Sequence, residues 1–182
     1  MTTQTAKVKY TYEDYMQTPD DIRYELLDGE LILSPSARTA HQRSVGKIFK
    51  RLSDFVMQNE LGEVFIAPYD VVLDNFNVVQ PDILFVSNER THIITELNIQ
   101  GAPDLVIEVL SPSTAQRDRT QKRDLYAQHD VKEYWQSDTD AKSVQVLTLE
   151  NGVYRVAGIY TAGQTILSPL LQGFSLNVDD VF

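Results

Sequence analysis

The sequence contains no cysteine. Disulfides, thiolate metal sites and a cysteine nucleophile are therefore excluded, and the composition suits a reducing compartment. Histidine is scarce: His41, His92 and His129 are the full set, too few for a histidine-rich zinc site. No stretch approaches the ~20 continuous apolar residues that span a bilayer. The first residues, Met1 to Lys7, lack the apolar core of an export signal. These absences together point to a cytoplasmic protein without a membrane partner. Positive charge is also short, with 16 Lys and Arg against 26 Asp and Glu, a net charge of −10. That balance argues against a protein coated for general nucleic-acid binding. A local basic patch is still allowed, because counterion release depends only on the residues in contact. The sequence has no Walker loop, no Gly-x-Gly-x-x-Gly and no His-Glu-x-x-His. Ser111-Pro112-Ser113-Thr114 is not the Gly-x-Ser-x-Gly elbow of a serine hydrolase.

What is present reads as an α/β chain. No repeat, low-complexity segment or linker divides it, so residues 1–182 are expected to form one domain, with about 1–9 a weakly ordered leader. Thr11 to Met16 suggests a short helix, ended by Thr18-Pro19-Asp20. Tyr24 to Leu33 reads as a hairpin, because Asp28-Gly29 supplies the positive φ angles of a two-residue turn. A helix of about 18 residues from His41 to Asn59 follows, its apolar stripe formed by Val45, Ile48, Phe49, Leu52, Phe55 and Val56. Arg43, Lys47, Lys50 and Arg51 lie mainly off that stripe; the plain reading is a solvated face, the sharper one phosphate contact. Two strand signals come next, Val64 to Leu73 and Val78 to Val86. Leu105 to Leu110, between Pro103 and Pro112, is almost wholly apolar and reads as a central strand buried on both faces. A second helix is expected from about Asp118 to His129, then a hairpin turning at Glu150-Asn151-Gly152. The order predicts a mixed sheet flanked by helices, with β-hairpins at both ends, and no simple doubly wound pattern.

Glu108 is the most informative residue. A carboxylate inside an apolar strand is costly unless it is paired or bound to a metal. Alternation turns Asp104, Val106 and Glu108 to one side of the strand. Asp104 and Glu108 do not make a metal pair, since four strand residues separate them by roughly 13 Å. Ligand oxygens on one Mg²⁺ lie no more than about 4 Å apart. A neighbouring strand is only ~4.8 Å away, which makes Asp82, in its own apolar run, the natural partner. The competing role for Asp82, as for Asp104, is a strand-opening turn residue after proline. Lys122 shares a helical face with Leu125, Tyr126 and His129 and so points toward the core. There it needs an anion; an ion pair with Asp118 or a stem snorkelling to water would also satisfy it. Two acids and one cation beside a core strand suit metal-assisted hydrolysis of an ester. Trp135 fits the core better than a base-stacking platform, and His41 reads as a polar residue at a helix start.

Several segments together resemble a known family. They are Tyr24 to Leu31, Val79-Gln80-Pro81-Asp82-Ile83, Ala102 to Ser113, Lys122 to Tyr126, and Val131-Lys132-Glu133-Tyr134-Trp135. With them the chain, from about Tyr10 to Phe182, resembles the Uma-type restriction endonucleases of bacteria, a branch of the PD-(D/E)XK nuclease superfamily. The resemblance implies a restriction-endonuclease-like αβββαβ core and a metal-dependent endonuclease that hydrolyses DNA phosphodiesters. It assigns Asp82 as the metal-binding aspartate and Glu108 as the second acid. Leu110 stands where the superfamily motif has its lysine, and Lys122 matches the lysine that this branch supplies from the following helix. Glu25 is a candidate third acid, or else an exposed hairpin residue. On this reading Asp82 and Glu108, with the Val109 carbonyl as a further donor, hold Mg²⁺ or Mn²⁺. Lys122 orients the attacking water or stabilises developing charge, and Arg43, Lys47 and Lys50 are candidate DNA contacts. A homodimer is plausible, because such enzymes work in pairs to cut both strands. The acidic surface and Leu110 equally suit a catalytically silent nuclease-fold protein that binds DNA or a protein partner, and a purely structural or regulatory subunit is a third alternative.

Overall fold

The strand expected at the centre is there: β8 (Leu105–Leu110) is buried at every residue. The computed structural model describes residues 8–19 and 21–182. Asp20 and most of the expected leader, residues 1–7, lie outside the described residues. Lys9, at the end of that leader, pairs with Asp28.

In chain order the earlier elements are α1 (Tyr12–Tyr15), β1 (Tyr24–Leu27), β2 (Glu30–Leu33), α2 (Thr39–Gln58), β3 (Gly62–Ile66), β4 (Val71–Asp74), β5 (Asn77–Val79), β6 (Ile83–Ser87) and β7 (Ile99–Gln100). After β8 come α3 (Ala115–Arg117), a π-helical turn (Asp118–Lys122), α4 (Arg123–Gln128), β9 (Glu133–Asp138), β10 (Ser143–Glu150) and β11 (Val153–Tyr160). Two short strands, β12 (Thr165–Leu167) and β13 (Ser175–Asn177), pair near the C-terminus. Both hairpins form at the expected turns. Asp28 and Gly29 have φ of 50° and 78°, Asn151 and Gly152 have 51° and 77°, the left-handed values that a two-residue turn needs.

The strands divide between two main sheets. One has the order β11-β10-β9-β8-β6-β3, the other β2-β1-β5-β4-β7. The first is mixed, since β8 runs antiparallel to β6 and parallel to β9. The two strand signals between Val64 and Val86 are in fact four strands. Each signal crosses from one sheet to the other, between β3 and β4 near Pro68 and between β5 and β6 near Pro81. Proline lacks the N–H that a continuous ladder requires, so the chain breaks and changes sheet there.

The core lies in two layers. Val45, Ile48, Leu52 and Val56 of α2 pack on Ile83, Phe85, Leu105, Ile107 and Val109 of the six-stranded sheet. Each such buried side chain contributes roughly 1.5–3 kcal/mol. Val106, Leu84 and Tyr134 face the other way, onto Leu27, Val71 and Val79 of the second sheet and Leu125 and Tyr126 of α4. Alternation along β8 therefore turns Glu108 to the side of α4 and the five-stranded sheet. Trp135 is fully buried in the first layer, as expected. Among the described residues, no helix is long and apolar enough to cross a membrane.

Candidate active site

Asp82 does not lie within a strand. It occupies the bend just before β6, where the chain leaves one sheet for the other. The last registered pair between β6 and β8 is Ile83 opposite Ile107, so the next step brings Asp82 to the level of Glu108. The Val109 N–H, one residue on, donates to Asp82 Oδ2 at 2.8 Å. The spacing of adjacent strands thus sets Asp82 against the β8 residue next to Glu108.

Lys122 arrives from the helical segment opposite. Its Nζ lies 2.9 Å from Glu108 Oε1, 2.7 Å from Glu25 Oε1 and 3.8 Å from Asp118 Oδ1. The π turn matters here because it shifts the helical phase. Both Asp118 and Lys122 are buried by it. The Asp118 carbonyl accepts bonds from Tyr134 Oη at 3.0 Å and Gln136 Nε2 at 3.1 Å. One turn on, Tyr126 donates its hydroxyl to Glu108 Oε1 at 2.8 Å. Glu25 is no exposed hairpin residue: it is 3% exposed, and its Oε1 also accepts the Gln80 N–H at 2.9 Å.

Four carboxyl groups, Glu25, Asp82, Glu108 and Asp118, therefore surround or border one ammonium. They line an open cleft of about 140 Å³ that His41, Arg23 and Arg38 also line. The electrostatics follow from the excess of acid. Burial pushes Glu108 well above the usual carboxylate range; Lys122 opposes this, while Asp118, Asp82 and Glu25 add to it. Burial likewise raises Asp118 against the pull of Lys122. Burial alone would lower Lys122, but Glu108, Glu25 and Asp118 outweigh it and hold the ammonium well above its ordinary value.

An oxygen-rich, acid-rich donor set suits a hard divalent cation. Asp118 Oδ1 is buried without a hydrogen-bond partner and faces the Lys122 ammonium at 3.8 Å. Among the described residues, however, no three His, Asp or Glu side chains form a ready-made metal cage. Lys122 occupies that place, taking Oε1 of both Glu25 and Glu108.

The other expected residues fall elsewhere. Arg43, Lys47 and Lys50 are exposed on α2 and do not line the cleft. Lys50 pairs with Asp54 at 2.6 Å, and Lys47 donates to the Phe182 carbonyl at 2.9 Å. Asp104 is more than a turn residue: it is 1% exposed and bound by Lys132, Arg90 and the Ser87 N–H. The sequence reads His41 as a polar helix-start residue, yet its Nε2 lies 3.0 Å from Asp82 Oδ2. The signal for it was available, since His41 stands four residues before Val45 on the core-facing stripe. Asp118 carried a similar signal, one turn before Lys122.

The family model described as "Uma2: Putative restriction endonuclease" matches residues 12–179. The chain belongs to the Uma2 family. In structure it is similar to a putative nuclease belonging to DUF820 from Anabaena variabilis ATCC 29413, with a TM-score of 0.80 and 19% sequence identity. The match covers 94% of this chain and 97% of that one, so the two share the whole α/β fold. No curated protein matches the chain.

Proposed function

We propose that this chain is a divalent-metal-dependent endonuclease that hydrolyses DNA phosphodiesters in the cytoplasm, with residues 1–182 acting as one domain. The observation that supports this most is the meeting of Asp82, Glu108 and Lys122 in one cleft at the junction of the two sheets. Asp82 and Glu108, with the Val109 carbonyl beside them, would hold Mg²⁺ or Mn²⁺. Such an ion, when bound, supplies a water of lowered pKa and neutralises phosphate charge.

The protein's own part is positional and electrostatic. Lys122, gripped by Glu25, Glu108 and Asp118, keeps its proton. It is therefore a fixed positive charge facing the phosphate rather than a base. Tyr126 holds Glu108 by the same oxygen as Lys122, which fixes that carboxylate's orientation. In this reading Arg38, at the cleft and at the start of α2, would meet a phosphate there, and Arg43, Lys47 and Lys50, outside the cleft on the same helix, would meet the DNA farther along. Cutting both strands calls for two such sites, so the working form in this reading is a homodimer.

Cleavage of supercoiled plasmid with Mn²⁺ or Mg²⁺ tests the assignment. Wild type should cut and chelator should stop it, while Asp82→Ala, Glu108→Ala and Lys122→Ala should not cut. Equal cleavage by all four proteins would reject it. A second reading, a catalytically silent protein that binds DNA or a partner, is favoured by one observation: Lys122 itself neutralises Glu25 and Glu108. In that case calorimetric titration with Mn²⁺ should give no heat of binding.

A further inference from the structure

Asp82 is held from two sides, and both contacts fall on one oxygen. The Val109 N–H reaches Oδ2 at 2.8 Å from β8, and His41 Nε2 reaches it at 3.0 Å from the first turn of α2. A carboxylate oxygen offers two lone-pair directions. The Val109 N–H fills one, and the His41 ring lies against the same oxygen as a close ion-pair contact; together they restrict the rotation of the carboxyl group. Oδ1 is then the oxygen left to serve the cleft. The His41 side chain is only 12% exposed, and its Nδ1 is buried without a hydrogen-bond partner. A polar residue that merely started a helix would be solvated, and its ring would not lie against a carboxylate of another layer.

We propose that His41 is a positioning residue for Asp82, orienting that carboxylate for the divalent cation. The inference rests on the metal-dependent reading above and adds to it a residue from the helix on the far side of β8. In this pair only the imidazole can donate, since a carboxylate oxygen can only accept. Without His41, Asp82 keeps only the Val109 N–H and loses the ring that flanks Oδ2, so its carboxyl group is freer to turn. Outer-shell partners that orient a metal ligand typically alter metal affinity by about ten- to hundred-fold.

The test is calorimetric titration of the intact protein with Mn²⁺ alone, beside thermal unfolding without metal. His41→Ala and His41→Asn should weaken Mn²⁺ binding by about ten- to hundred-fold, with an unchanged metal-free melting temperature. His41→Gln should recover most of the affinity, because the Gln Nε2 reaches where the imidazole Nε2 stood and the shorter Asn amide does not. If His41→Ala fails to fold, the Gln and Asn pair decides alone. Equal Mn²⁺ affinity in wild type, His41→Asn and His41→Gln would overturn the role of His41 and leave the nuclease reading standing. A wild type that binds no Mn²⁺ would overturn both.

Discussion

Two buried glutamates sit on neighbouring strands of the same sheet and behave differently. Glu133 opens β9 opposite Leu105, and Glu108 lies farther along β8 opposite Gln136. Glu133 is fully buried, yet its donors are complete: Trp135 Nε1 at 2.6 Å and Ser168 Oγ at 2.7 Å on Oε1, and the Leu170 N–H at 2.8 Å on Oε2. These bonds tie the C-terminal segment to the sheet. Burial still raises Glu133, but the three donors pull against it. Glu108 has both its donors, Lys122 and Tyr126, on one oxygen and three other carboxyl groups nearby. A carboxylate that only builds structure is closed by its own fold. One left with excess negative neighbours in a cleft is ready for a cation.

The comparison can be broken most sharply at Lys122. Lys122→Ala removes the ammonium from a buried acidic group, and its unfolding free energy in urea should fall by about 3–5 kcal/mol. A loss near zero would mean that the acids do not depend on it. Glu108→Gln should have a divided effect. Plasmid cleavage should be lost, while the protein stays folded, because the amide oxygen can still accept from Lys122 and Tyr126 and one charge of a crowded acidic set is gone. Glu133→Gln should do the reverse. It places an amide N–H₂ against donors that need an acceptor, costing about 1–3 kcal/mol of stability, with cleavage retained by the folded protein.

The smallest effect is in pH. The folded-state pKa of Glu108 lies well above its ordinary 4.5, so between those values the folded form holds a proton that the unfolded form has released. Stability must then decrease as pH rises through that window, by at most about 1.4 kcal/mol per unit for one proton. Lys122 is raised above 10.5, so its contribution is complete below that pH and is lost only above it. Denaturation midpoints of wild type and Glu108→Gln, compared without metal from pH 4.5 upward, isolate the Glu108 part. The wild-type curve should fall more steeply; a steeper rise would contradict the assigned shift.

Much of this was legible because local chemistry carried it. Asp28-Gly29 and Asn151-Gly152 named their turns, and the unbroken run Leu105 to Leu110 named the central strand with its one embedded acid. What failed to show depends on distant pairing. A hairpin acid such as Glu25 looks exposed until Gln80 and Lys122, at remote positions, close over it. Asp104 looked like a turn residue because its partner Lys132 lies across the parallel pairing of β8 and β9. Asp82 was placed inside a strand because an apolar run does not reveal that the chain changes sheets at Pro81. The π turn is hidden for a similar reason: a uniform 3.6-residue period through Asp118 to Lys122 carries no sign of it, and the side chains that bond the Asp118 carbonyl, Tyr134 and Gln136, come from β9.

Anomalous scattering from a crystal soaked in manganese tests the central claim most directly. The account predicts one manganese peak within bonding distance of Asp82 and Glu108, beside the Lys122 ammonium. A crystal saturated with manganese but without a peak there, and with Lys122 still joining Glu25 to Glu108, would contradict it.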